Sequence, residues 1–340
     1  MMKFHKLMFL NILFLSTLIV ISSYAWFSMW IGLEINLLAI LPLMVNPKNI
    51  YPSEAAMKYF ITQTLASLIL LFAILMSNSL NMSEFAIPHN SLNFLDLLIN
   101  SSLFLKTGAA PFHAWFPEVM EGLNWSNCLL MMTWQKIAPM MILIHNLSMF
   151  FYLTWIILIS SILSGIMGLN QTSLRKILAY SSINHIAWML SSMLNFKMIW
   201  LLYFTIYTIL TMNLVIIFYY FNIFYSNQFY LIFNSNKLLI FFFSLNFLSL
   251  GGLPPFLGFL PKWLTILNLV MNQFYSLTLI LIISTLITLY FYIRLNFSSL
   301  LINKIELIVK FKLINNFWFF SMNFISLAGL LVYSFIPNFF

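Results

Sequence analysis

Charge is what this sequence has least of. Only 6% of its 340 residues are Asp, Glu, Lys or Arg, against roughly 25% in soluble globular domains, so most of its surface cannot face water. A single cysteine, Cys128, excludes disulfides within the chain, cysteine-held iron–sulfur clusters and cysteine-based zinc sites. No His-Glu-x-x-His, Gly-x-Ser-x-Gly, Walker or dinucleotide fingerprint occurs, so no motif argues for a hydrolase, a nucleotide site or a metal centre. What is present is apolar: 62% of residues are hydrophobic and the mean hydropathy is +0.98. The apolar residues come in runs of about 20, the length that crosses a bilayer core. The composition is that of an all-α polytopic membrane protein, and its 37 Phe, with abundant Asn, Ile and Met, suit an AT-rich genome such as a mitochondrial one.

Apolar windows and the polar or proline-containing breaks between them give about eleven spans, at 7–24, 26–45, 55–76, 92–116, 125–146, 149–169, 173–195, 198–225, 237–270, 274–297 and 317–336. Lys3 and Lys6 followed by an apolar run resemble a signal peptide, but the rest of the chain is equally apolar and a first transmembrane helix is the more economical reading. The ninth window is too long for one crossing and holds GGLPPFLGFLPKW, which reads as two half-helices around a non-helical centre. If the spans alternate, eleven basic residues fall on the side of the N-terminus and Lys197 alone on the other. The positive-inside rule then puts the N-terminus in the cytoplasm or matrix. The net charge of +8 is spread singly between spans, a pattern that fits membrane topology and not nucleic acid. No linker or soluble domain stands out, so the chain reads as one transmembrane domain over 1–340.

Four charges do not belong to loops: Glu34, Lys106, Lys136 and Lys262 lie inside apolar windows. A charge at mid-bilayer costs about 2.5–3.5 kcal/mol on insertion scales, so these side chains are expected to face the protein interior. An ion pair pinning two helices, or a lysine reaching the headgroups, is the plain alternative. One glutamate with three lysines leaves two lysines over, which a clamp does not need. Lysine can take up and release a proton as its surroundings change, whereas arginine stays charged. Moving Glu34 toward or away from a lysine would switch that lysine's proton affinity, and a row of lysines joined by water and hydroxyls would carry protons.

Lys106 precedes Gly108-Ala-Ala-Pro111, and Lys262 follows Gly251-Gly252, Pro254-Pro255 and Pro261. Each lysine thus lies beside a helix interruption, and irregular backbone at membrane depth is tolerated where it is buried in protein or lines a wet cavity. Paired interruptions in two halves of a chain point to a transport site built from repeats. In the seventh span Ser181, Asn184, His185, Trp188 and Ser191 share one helix face. Such a stripe looks inward, either for hydrogen bonds between helices or, at His185, for proton relay. His113, in the first break, is a second candidate relay.

The stretches WIGLEINLLAILPL, EAAMKYFITQTLAS, FLKTGAAPFHAWFPEVMEGL, MTWQKIAPM, GLNQTSLRKILAYSSINHIAWML and NFLSLGGLPPFLGFLPKW resemble, in order over about 25–295, the subunit 2 family of mitochondrial NADH:ubiquinone oxidoreductase, respiratory complex I, in its animal, insect-like form. The resemblance implies an antiporter-like fold of two inverted five-helix repeats, approximately 1–146 and 149–297, each with a broken helix, followed by a final helix at 317–336. Larger members have fourteen helices, and this chain corresponds to a start at the fourth. The resemblance implies that Glu34 partners Lys106, that Lys136 is the central lysine, that Lys262 serves the exit side and that His185 bridges centre and exit. It further implies proton translocation coupled to electron transfer from NADH to ubiquinone, and no cofactor in this subunit, since NADH, flavin, iron–sulfur clusters and quinone belong elsewhere in the complex. The implied partners are the other membrane-arm subunits, neighbouring antiporter-like subunits among them, and lipids such as cardiolipin. The implied location is the inner mitochondrial membrane, N-terminus in the matrix and C-terminus in the intermembrane space. A stand-alone cation/proton antiporter would share the fold. A haem-bearing quinol oxidoreductase needs paired histidines, and His113, His145 and His185 do not make two pairs. A structural spacer with vestigial charges is a third reading.

Overall fold

The structure, a computed structural model, describes residues 4–46, 49–82, 89–147, 149–194, 196–229 and 237–301, together with Ser321, Asn323, Phe324, Ser326, Leu327 and Gly329. Most of the expected final span, and several of the basic loop residues used to orient the chain, lie outside the described residues. The described chain is helical, with one isolated bridge between Ser173 and Tyr225. Its helices are α1 Phe4–Ser22, α2 Trp26–Met44, α3 Tyr51–Met82, α4 His89–Thr107, α5 Trp115–Gly122, α6 Trp125–Met132, α7 Trp134–His145, α8 Phe150–Leu169, α9 Leu174–Met193, α10 Lys197–Phe221, α11 Lys237–Gly251, α12 Phe259–Met271 and α13 Tyr275–Leu301. Among the described residues, seven segments are long and apolar enough to cross a membrane. The chain is an integral membrane protein of the all-α class. It forms two compact units, residues 1–156 and 157–340.

A helix in hydrocarbon has to satisfy its polar groups internally, and the serines and threonines do so locally. Ser16 donates to Leu13 O at 2.8 Å, Ser102 to Ile99 O at 2.7 Å, and Ser181 and Ser191 to Leu178 O and Trp188 O at 2.8 Å. The hydroxyls of the α9 stripe thus bond carbonyls of their own helix. The stripe also reaches another helix, since Asn184 Nδ2 donates to Thr288 Oγ1 of α13 at 3.3 Å and Ser181 bonds Tyr292. The stripe itself does face inward: Ser181, Asn184, His185, Trp188 and Ser191 are all buried.

In the first unit α1 packs on α2, and α3 packs on α2, α4 and α5. The expected span at 125–146 is present as one apolar segment, Trp125–His145, with a one-residue interruption at Thr133 between α6 and α7. Further on, Pro139 has no N–H for the carbonyl of Gln135, in the turn holding Lys136. In the second unit α10 packs on α9, α11 and α12, and α11 packs on α13.

The two breaks share one backbone plan. After α4, Gly108 takes φ 75°, its N–H bonds Phe104 O, and the Ala109 N–H also bonds Phe104 O at 3.1 Å. After α11, Gly252 takes φ 78°, and the Leu253 N–H bonds Leu248 O at 3.3 Å. Both are the six-residue closure of a helix end around a left-handed glycine, a conformation that costs other residues a clash at Cβ. A cis peptide bond precedes Pro111 in the first break and Pro255 in the second, three residues after the glycine in both. The next half-helices start at Trp115 and Phe259, again at the same distance from the glycine. Behind this lies one sequence pattern, used twice: G-A-A-P-F-H-A-W-F-P at 108–117 and G-L-P-P-F-L-G-F-L-P at 252–261.

Candidate functional site

Each unit holds part of the predicted charge set, and the three lysines are buried: Lys106 is 8% exposed, Lys136 2% and Lys262 6%. Glu34, Lys106, Lys136 and His113 belong to the first unit, His185 and Lys262 to the second.

In the first unit Lys106 occupies the last turn of α4, just ahead of the break. It borders a small cavity with about 20 Å³ open to the centre of a water molecule, lined also by Asn36, Tyr59, Gln63, Gln135 and Pro139. Room for one water takes about 10–15 Å³ on that measure. Tyr59 Oη donates to Gln135 Oε1 at 3.3 Å, Gln135 Nε2 donates to Asn36 Oδ1 at 3.0 Å, and Gln63 Nε2 reaches Lys106 O at 3.5 Å. Four amide or phenol groups thus surround the lysine's cavity, and the Gln135 backbone carbonyl gets no helical donor from Pro139.

Glu34 does not form the contact pair with Lys106 that the sequence suggests. Among the described residues neither takes part in an ion pair within 4.0 Å, unlike Lys58, which pairs with Glu54 at 3.1 Å and with Glu118 at 3.0 Å. Glu34 Oε1 is buried without a hydrogen-bond partner. Its charge acts on Lys106 and Tyr59 through space. A buried, uncompensated carboxylate oxygen is costly, and here it lies on α2 two residues before the cavity-lining Asn36. Lys136 stands on α7 with its Nζ 5.7 Å from the Phe116 ring centre, so that α5 covers it with an aromatic face. His113 is half-buried in the break, with Nδ1 donating to Pro111 O at 3.3 Å.

In the second unit Lys262, on α12, folds back on the break: its Nζ donates to Gly251 O at 2.8 Å and to Leu250 O at 3.4 Å. It is anchored inside the protein and does not reach for the headgroups. The Nζ also lies 5.9 Å from the ring centre of Trp188, on α9. One turn earlier on α9, His185 Nδ1 and Tyr203 Oη are hydrogen-bonded at 2.9 Å, and the Tyr207 ring centre is 5.0 Å from the imidazole. His185, Tyr203, Tyr207 and Ser249 line a second cavity, of about 10 Å³, bounded by Gly258 and Pro261 of the break.

Several groups in these sites went unread in the sequence: Asn36, Tyr59, Gln63 and Gln135 in the first unit, Tyr203, Tyr207 and Ser249 in the second. The available signal was polarity inside an apolar window, present at Asn36, Gln63 and Gln135; tyrosines in a greasy helix give none. Among the described residues no group of three or more His, Cys, Asp or Glu side chains could hold a metal ion. The arrangement suits proton exchange between amines, amides, hydroxyls and enclosed water.

A family model described as NADH:quinone oxidoreductase/Mrp antiporter, transmembrane, matches residues 23–288. The chain belongs to this family. Within it, the chain is 53% identical over 278 residues to the NADH-ubiquinone oxidoreductase chain 2 of Anopheles gambiae, with 80% of each chain covered. It is 50% identical over 276 residues to the protein of the same name from Aedes aegypti, again over 80% of each. A chain in a structure of respiratory complex I from Thermus thermophilus superimposes with a TM-score of 0.84 over 98% of this chain and 79% of that one. Identity there is 22%, so the likeness is one of fold.

Proposed function

We propose that this chain is a core, non-redox membrane subunit of a proton-translocating NADH:ubiquinone oxidoreductase, respiratory complex I, in the inner mitochondrial membrane. Its two repeats each carry protons through a buried lysine set beside a broken helix: Lys106 with Lys136 in the first, Lys262 with His185 in the second. Glu34 biases the charge at Lys106 from a distance, and His113 extends the first path. The N-terminus lies in the matrix and the C-terminus in the intermembrane space. NADH, flavin, iron–sulfur clusters and quinone are held by other subunits; neighbouring membrane-arm subunits and lipids such as cardiolipin cover the exposed apolar faces.

One observation carries this reading. Three lysines are buried in the helical core of an apolar chain, two of them beside identically built breaks, and that chain is 53% identical to a named chain 2 of this oxidoreductase. The family also includes Mrp antiporters, and isolation of the chain as a lone functional monomer would turn the reading to a stand-alone antiporter. The decisive test is Lys136→Ala in the assembled complex, reconstituted into liposomes. Protons moved per NADH oxidised are expected to fall. Wild-type pumping from a fully assembled variant would overturn the proposal.

A further inference from the structure

The two cavities occupy the same place in their repeats. Superposing the sequence on Gly108 and Gly252 sets Tyr59 against Tyr203, Gln63 against Tyr207 and Lys106 against Leu250. Tyr59, Gln63 and Lys106 line the first cavity; Tyr203, Tyr207 and Leu250 line the second. Tyr59 and Tyr203 are 3% and 1% exposed. Phenylalanine would fill the same space without a hydroxyl to satisfy, and the chain uses Phe 37 times elsewhere. In both units, however, the phenol oxygen is spent on a polar side chain from another helix: Gln135 of α7 for Tyr59 and His185 of α9 for Tyr203.

We propose that Tyr59 and Tyr203 are paired positioning residues, one per repeat, which orient the polar group and the enclosed water of each cavity for proton transfer, Tyr59 through Gln135 beside Lys106 and Tyr203 through His185. The inference rests on the proton-translocating reading above. In the first unit the Tyr59 hydroxyl holds Gln135 Oε1, which turns the Gln135 amide nitrogen onto Asn36 Oδ1. The amide is thereby locked in one orientation, and a water in the cavity has the Lys106 amine, the Gln63 amide and the Gln135 side chain among the two to four partners a buried water requires. In the second unit the Tyr203 hydroxyl and Nδ1 form one hydrogen bond, which couples the His185 tautomer to the hydroxyl's direction: where the hydroxyl donates, the proton of the neutral imidazole stays on Nε2. Neither tyrosine needs to carry the proton itself.

The test uses Tyr59→Phe and Tyr203→Phe in the assembled complex in liposomes, with assembly followed on native gels and protons counted per NADH oxidised. Each variant is expected to assemble and to lower the protons moved per NADH, by roughly two- to tenfold for Tyr59→Phe, whose partner is a neutral amide, and by roughly tenfold for Tyr203→Phe, whose partner becomes charged. Double variants separate positioning from support of the fold. Tyr59→Phe combined with Gln135→Leu should be no worse than Gln135→Leu alone, and Tyr203→Phe with His185→Ala no worse than His185→Ala alone, because each tyrosine acts through that one partner. Additive losses in both cycles, or an unchanged ratio of protons to NADH in both single variants, would overturn the proposal. Should Lys136→Ala pump normally as well, the proton-translocating reading itself fails; impaired Lys136→Ala beside normal tyrosine variants removes only this inference.

Discussion

Adjacent glycines in the second break should behave in opposite ways when each is given a methyl group. Gly252 has φ 78°, a left-handed conformation that costs an alanine about 1–2 kcal/mol. An added Cβ there would stand 2.7 Å from Lys262 Cδ and 3.0 Å from Lys262 Nζ. The lysine is flexible enough to move, but moving takes its ammonium off Gly251 O and Leu250 O, now at 2.8 and 3.4 Å. A hydrogen bond to a charged group is worth about 1.5–3 kcal/mol, so Gly252→Ala should cost roughly 3–5 kcal/mol in all. Gly251, by contrast, is helical, and its added Cβ would meet Leu289 Cδ1 at 3.5 Å, an ordinary contact. Gly251→Ala should be neutral or slightly stabilising, since alanine is the better helix former by about 1 kcal/mol. The assay is thermal denaturation of the solubilised complex, with protons per NADH as a second readout because Lys262 is displaced in one variant only. A Gly252→Ala complex as stable and as active as Gly251→Ala would refute the argument.

In the first unit, a Cβ on Gly32 would lie 2.5 Å from Val20 Cγ2 and 3.2 Å from Ser16 O, where α1 and α2 approach most closely. Gly32→Ala should lose about 1–3 kcal/mol through overpacking, and adding Val20→Ala should restore part of the thermal midpoint by removing the opposed methyl. Lys58 bridges Glu54 and Glu118 with both partners more than half exposed, so Lys58→Ala should shift the midpoint little and leave pumping unchanged.

How much of this was legible depends on the kind of signal. The membrane class follows from composition, because 6% charge cannot solvate a surface of this size. The breaks could be located because glycine and proline punctuate a helix wherever it lies. Even so, the exact repetition of G-x-x-P-F at 108 and 252, which announces two copies of one backbone turn, lay in the sequence unread. The one-residue interruption at Thr133 gave no signal, because hydropathy runs on through it. The pairing of Glu34 with Lys106 came from the family resemblance, and its finer geometry was not legible. The two interact electrostatically without a close contact pair, and amides and a phenol line the space beside the lysine. Tyr59 and Tyr203 gave no signal at all: a tyrosine in a run of apolar residues has the hydropathy of core.

The two breaks share a backbone but not the residue that holds the charge. Lys106 belongs to the half-helix before its break; at the corresponding place the second repeat has Leu250. Lys262 belongs to the half-helix after its break; at the corresponding place the first repeat has Glu118, which is bonded to Lys58. The difference looks like divergence until the helix ends are considered. Lys106 is in the last turn of α4, and Lys262 Nζ, although carried by α12, donates to the last carbonyls of α11. Lys262 Nζ therefore sits at the C-terminal end of the half-helix before its break, where the last carbonyls and the negative end of the dipole stabilise a cation. Lys106 is carried by the corresponding half-helix of the first unit, in its last turn. One unit brings its lysine from the half-helix itself, the other from the far side of the gap. Moving the lysine of one repeat to the site used by the other is thus the substitution that tests whether the helix end alone defines the site. Leu250→Lys with Lys262→Leu should keep a cation at the end of α11 and retain part of the proton movement that Lys262→Leu alone abolishes.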